Sequence, residues 1–238
     1  MKKYIVYTLL LVAALYLTAP ACDPESFLLF GDEARQTLDS LTQIHSADTL
    51  TMAILAHNIA FDDSTNTYLK MAKKLFARLT PTPVTRAYLR SVNIMAERNK
   101  SLLVKILTKG SLLSRIRAYY GAITTALAEC PDNDTLLFLH AGAAIEITDR
   151  FPEFLPDARH DLDTLWRLVN RQDSDHLFFL NLLEAKFYYK KGKLAKERWH
   201  LDRAWDFVEK ACTFACNTHH LSEIDLWEKR IIEQQQKK

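Results

Sequence analysis

Glycine is scarce in this chain, five residues in 238, and seven prolines fall at a few well-separated points. So few glycines leave no glycine-rich loop to cradle a phosphate, and no Gly-x-Ser-x-Gly turn to expose a nucleophile. Alternating runs rich in Val, Ile and Thr are missing too, which argues against a sheet. Excess charge of one sign is also lacking, since the formal net charge is only +2. Without Lys2 and Lys3 the bases and acids are equal, 29 of each, so nucleic acid is excluded as an expected partner. Four cysteines are present, in neither the paired spacing of a zinc finger nor the Cys-x-x-Cys-His of haem attachment. The adjacent His219 and His220 do not form the His-Glu-x-x-His of a metalloprotease.

What is present begins at the N-terminus. Lys2 and Lys3 precede an apolar run of 13 residues, 5–17, and Ala19-Pro20-Ala21 leads into Cys22. A spanning helix needs about 20 apolar residues, so this run has the layout of a signal peptide over 1–21 and predicts export. Residues 22–238 form the expected mature domain. With 48 % hydrophobic and 25 % charged residues, the chain has a globular composition.

Helical periodicity persists along that domain. Helices are expected at 25–44, 49–61, 65–79, 84–97, 100–108, 111–129, 134–149, 158–171, 176–191, 194–215 and 219–234. Asp62-Asp63-Ser64 offers a cap, Thr80-Pro81-Thr82-Pro83 forbids a continuing helix, and Pro131-Asp132-Asn133-Asp134 ends one helix and starts another. Phe151 to Pro156 reads as a rigid turn and Lys191-Gly192-Lys193 as a tight one. Charge alternates in blocks. Between residues 84 and 118 lie eight bases and one acid; between 129 and 163 lie nine acids and two bases. These blocks read either as helix faces that attract each other within the fold, or as a basic patch for an anionic partner.

Several segments carry a family resemblance. Residues 121–133 place Ala126 and Pro131 where the second helix of a tetratricopeptide repeat (TPR) has its alanine and proline. Residues 185–192, with Ala185, Tyr188 and Gly192, resemble its first helix and turn, followed by Leu201 and Ala204 at packing positions. Ala56, Ala72 and Leu75 fit a further pair. Residues 50–215 thus resemble a TPR array. The resemblance implies an all-α fold of antiparallel helix pairs stacked as a short solenoid, with first helices starting near 134 and 178. It further implies no enzymatic activity, no cofactor, and a concave face that binds a protein or peptide. On that face would lie Phe179, Leu182, Lys186, Tyr189 and Lys190, and in the preceding repeat Thr135, Phe138, Gly142, Ile145 and Glu146.

The cysteine after the signal segment resembles that of bacterial lipoproteins, although Ala19 stands where Leu is usual. That resemblance implies lipid attachment at Cys22 and a membrane tether facing the periplasm; a released periplasmic form is the alternative. Similar combinations of features occur in the TPR-containing T-component lipoproteins of TRAP-type solute transporters.

One cluster could carry chemistry. Cys212, Cys216, His219 and His220 share a face if their helix continues, so Cys212, Cys216 and His219 are candidate metal ligands. Ordinary thiols, or a disulfide within the set Cys130, Cys212 and Cys216, are the competing readings. Asp157, His160, Asp161 and Asp163 read as an exposed acidic helix start. The four tryptophans read mainly as core.

Overall fold

A computed structural model describes residues 30–62, 66–98, 109–169 and 174–237. The signal segment, Cys22 and the helix expected over 100–108 lie outside the described residues. Within them the chain is helical throughout. In order come α1 (Gly31–Gln43), α2 (Thr49–Asp62), α3 (Asn66–Phe76), α4 (Pro83–Arg98) and α5 (Lys109–Glu129). After α6 (Asp134–Ile147), a short 3-10 turn at Pro152–Phe154 leads into α7 (Leu155–Leu168). The chain finishes with α8 (Ser174–Ala195), α9 (Arg198–Cys212) and α10 (Thr218–Gln236). No helix among the described residues is long and apolar enough to cross a membrane.

Local chemistry explains the starts. Thr82 Oγ1 accepts the Thr85 N–H at 3.1 Å while Thr85 Oγ1 accepts the Thr82 N–H at 2.7 Å. This reciprocal box, with Pro83 at the first helical position, begins α4. Asn133 caps α6 by accepting the Leu136 N–H at 2.8 Å, and Asn217 caps α10 by accepting the His220 N–H at 2.9 Å. The expected turn at Gly192 is absent: α8 runs on to Ala195, and the chain reverses at Lys196, whose φ is 55°. Gly192 serves packing instead. A Cβ there would lie 2.9 Å from Leu201 Cδ2, so the missing side chain lets α9 close onto α8.

Short connections make sequential helices antiparallel neighbours. The most extensive contacts join α2 to α3, α4 to α5, α6 to α7 and α8 to α9. Every second helix also touches the next: α2 meets α4, α4 meets α6, α6 meets α8, and α8 meets α10. The apolar core divides accordingly into three successive clusters along the chain. Small residues mark the close approaches; Ala56, Ala72, Ala141, Ala144, Ala185 and Ala204 are all fully buried.

The two ends of the array meet. α1 touches α10, and Asn217 donates to Glu33 Oε2 at 3.0 Å across 184 residues of sequence. Phe30 lies 5.1 Å from the Phe179 ring and stacks on His219 at 5.2 Å. Gly31 is required here twice over. Its φ of +58° is left-handed, and a Cβ would come within 3.1 Å of His219 Cβ.

Candidate functional site

The α8 side chains expected on a binding face largely serve contacts inside the fold. Lys190 is buried and donates to Asp149 Oδ2 at 2.9 Å, with Lys193 on the other carboxylate oxygen at 3.1 Å. Burial alone would raise Asp149; the two ammonium groups outweigh it and hold the carboxyl below its usual range. Lys190 therefore clamps the end of α6 to α8 and is not presented to a ligand. Lys186 is half-buried, 3.4 Å from Glu223 Oε2 and 5.2 Å above the Trp227 ring. Tyr189 packs edge-on to the same indole, and Phe179 is part-covered by Phe30. On α6, Thr135 and Ile145 are wholly buried, because α6 packs against α4 on one side and α8 on the other. Of the candidate face, Glu146 is exposed, and Phe138 and Gly142 on α6 with Phe179, Lys186 and Tyr189 on α8 are half-buried.

The cysteine–histidine cluster also changes membership. The α9 helix ends at Cys212, and the bend through 213–217 breaks the helical register that would have aligned Cys212 with Cys216. His219 turns toward Phe30, whereas His220 turns inward and stacks on Phe178 at 3.7 Å. The thiol of Cys216 donates to Asp175 Oδ1 at 3.3 Å and lies 3.5 Å from His220 Nδ1. That nitrogen also lies 3.3 Å from the Cys216 backbone N–H, which donates to it. Asp175, Cys216 and His220 place one oxygen, one sulfur and one nitrogen within 4.8 Å of one another. Desolvation, the hydrogen bond to Asp175 and the charges of Asp175 and Glu33 push the Cys216 thiol up to about 11. Burial lowers the His220 imidazole to about 4, so it is neutral at physiological pH. Cys212 and Cys216 are exposed thiols and Cys130 a buried one.

A second polar chain was hidden from sequence reading. Thr124 on α5, His140 on α6 and Asp161 on α7 form a hydroxyl–imidazole–carboxylate line, with Thr124 Oγ1 3.0 Å from His140 Nε2 and Asp161 Oδ2 2.6 Å from Nδ1. Asp161 is thus buried, correcting the exposed acidic start expected for this segment. The line has the order of a catalytic triad, but two features oppose that chemistry. Thr124 Oγ1 donates to the Tyr120 carbonyl at 3.0 Å, so its proton is already placed. Thr124 also sits inside α5, where backbone N–H groups are spent on the helix ladder and cannot form an oxyanion hole. An ion pair with a buried carboxylate joins α7 to α8 nearby. Glu184, 2 % exposed, receives both guanidinium arms of Arg159 at 2.8 Å and the Trp166 indole N–H at 2.8 Å.

The charge blocks meet at one described point, an exposed Arg86–Glu129 pair at 3.2 Å. Exposed pairs of this kind contribute at most about 1 kcal/mol. Of the tryptophans, Trp227 is core while Trp199 is 56 % exposed. A cavity of about 130 Å³ opens among Phe138, Leu165, Leu168 and Leu180, smaller than the roughly 300–1,000 Å³ of most small-molecule sites. The chain matches no protein-family model, no curated protein and no solved structure.

Proposed function

We propose that this protein is a non-catalytic helical-repeat scaffold that binds a protein or peptide partner. In this reading it is exported and tethered through lipid on Cys22, on the periplasmic side of a bacterial membrane. The observation that carries the reading is the succession α2, α4, α6, α8, α10, each touching the next, with α2, α4, α6 and α8 each paired with the helix that follows it. A TPR-like solenoid stacks its first helices in this way. The starts of α2 and α4, Thr49 and Pro83, are 34 residues apart, the TPR period. The chemistry-bearing side chains described above add support, because Arg159, Glu184, His140, Asp161 and Lys190 all join neighbouring helices. An accessory subunit of a solute transporter would be one form of such a scaffold.

The partner surface centres on Lys186 and Tyr189, a cation beside an aromatic, suited to an extended ligand carrying carboxylates. Affinity capture from the native envelope tests it, comparing the parent protein with Lys186→Glu and Tyr189→Ala. Thermal melts verify that both variants are folded. Loss of the captured partner is expected in each; an unchanged partner set overturns the proposed face.

A further inference from the structure

We propose that Asp175, Cys216 and His220 form a binding site for one divalent metal ion of the zinc class, at the seam where the starts of α8 and α10 meet. Three separate segments supply the ligands: the first turn of α8, the loop after α9, and the first turn of α10. Tetrahedral zinc bonds sulfur at about 2.3 Å and nitrogen or oxygen at about 2.0–2.2 Å, which sets neighbouring ligand atoms about 3.4–3.6 Å apart. The sulfur–oxygen and sulfur–nitrogen distances, 3.3 and 3.5 Å, already have that size. The remaining edge, from the Asp175 oxygen to the His220 nitrogen, lies within 4.8 Å.

The surroundings hold these groups in place. His220 is 1 % exposed, and its stacking on Phe178 fixes the ring plane with Nδ1 toward Cys216. Asn217 caps α10 through the His220 N–H and thereby anchors the loop that carries Cys216. Second-shell support of this kind is what orients metal ligands. Exposure of Cys216 gives an ion its entry and leaves the fourth position to water. Charge is complementary as well. The carboxylate of Asp175 and a thiolate at Cys216 balance a dication, and Glu33 adds negative potential at the edge of the site. On binding, the Cys216 S–H bond breaks and its proton passes to solvent as sulfur bonds the metal, and the His220 Nδ1 lone pair exchanges the Cys216 backbone N–H for the ion, with no change of oxidation state. The competing description is a thiol that donates to Asp175 and binds no metal.

Cobalt separates the two. The reduced, chelator-stripped full chain is titrated with Co²⁺ and then Zn²⁺. Binding of one equivalent is expected, with a thiolate-to-cobalt absorption band in the near ultraviolet that zinc abolishes. Cys216→Ser should lose the band, and Asp175→Asn should bind at least about tenfold more weakly. Cys212→Ser should match the parent, because Cys212 lies outside the trio. These substitutions spare the buried imidazole, and circular dichroism verifies their fold. Absence of stoichiometric binding overturns the proposal. So does a band that survives Cys216→Ser, is unaffected by Asp175→Asn, or disappears in Cys212→Ser. Partner capture plays no part in these readouts, so the metal site stands or falls separately from the scaffold reading.

Discussion

A methyl group added at Gly192 must push α9 away from α8, whereas the same methyl at Gly121 meets nothing. At Gly192 the new Cβ would lie 2.9 Å from Leu201 Cδ2 and 3.1 Å from both Leu201 Cγ and His200 Cβ. Leu201 is fully buried and His200 nearly so, hence neither can swing aside without disturbing the α8–α9 contact. Overpacking of this kind costs about 1–3 kcal/mol. Against it stands the helix propensity of alanine over glycine, at most about 1 kcal/mol, and Gly192 lies near the end of α8. Gly192→Ala should therefore destabilise the protein by about 1–2 kcal/mol. At Gly121, exposed in the interior of α5, no heavy atom lies within 4 Å of the added Cβ. Gly121→Ala gains the propensity alone and should stabilise by about 1 kcal/mol. The unfolded chain loses the same freedom in both variants, so that contribution cancels from the difference between them and the packing contact dominates it. For a chain of this size, about 1 kcal/mol shifts Tm by about 2–4 °C. Thermal melts followed by circular dichroism should move in opposite directions. A Gly192→Ala protein that melts at or above the parent would refute the close-approach argument.

The Arg159–Glu184 pair, buried on its carboxylate side, offers a larger effect. Arg159→Met leaves a carboxylate that is 2 % exposed with only the Trp166 N–H of its three described donors and should cost about 3 kcal/mol, read as a lower urea midpoint. Adding Glu184→Gln to that variant should recover part of the loss, and additive losses would show that the two groups do not act as a pair. Acid should weaken the fold before the carboxylates titrate. His57 is 1 % exposed, and burial lowers its imidazole to about 4 from about 6.5. Above the unfolded value both states are neutral and the stability is fully present; as pH falls toward 4 the unfolded chain takes up a proton that the fold refuses. His57 alone then removes about 2 kcal/mol between about pH 7 and about pH 5, with His220 acting in the same direction. A urea midpoint that is constant over that interval contradicts the burial of a neutral His57.

Helical content, most helix boundaries and the pairing of neighbours were legible in the residues themselves. Thr82 before Pro83, Asn133 before Asp134 and Pro131 act through the local backbone, and a local signal is what a linear reading can detect. The α8–α9 junction escaped it for the same reason. Gly192 resembles a turn signal locally, while its role comes from Leu201 on the next helix. The interior face was beyond reach wherever a helix is covered on more than one side. The segment of α6 from Leu136 to Ile145 is apolar nearly all round, so its periodicity marks no solvent side, and Thr135 and Ile145 were expected where none is exposed. Asp161 reads locally as a surface acid, whereas in the fold it is buried with Oδ2 2.6 Å from His140 Nδ1 on the preceding helix.

The same division runs through the cysteine cluster. Its position near residues 212–220 and its soft ligands were set by the sequence, which holds Cys216 and His220 four residues apart. Only the tertiary structure could end α9 at Cys212, turn His219 toward Phe30, and bring Asp175 to the thiol from 41 residues away. Spacing along one helix is a covalent property. Convergence of α1, α8 and α10 depends on the packing of all the helices between them.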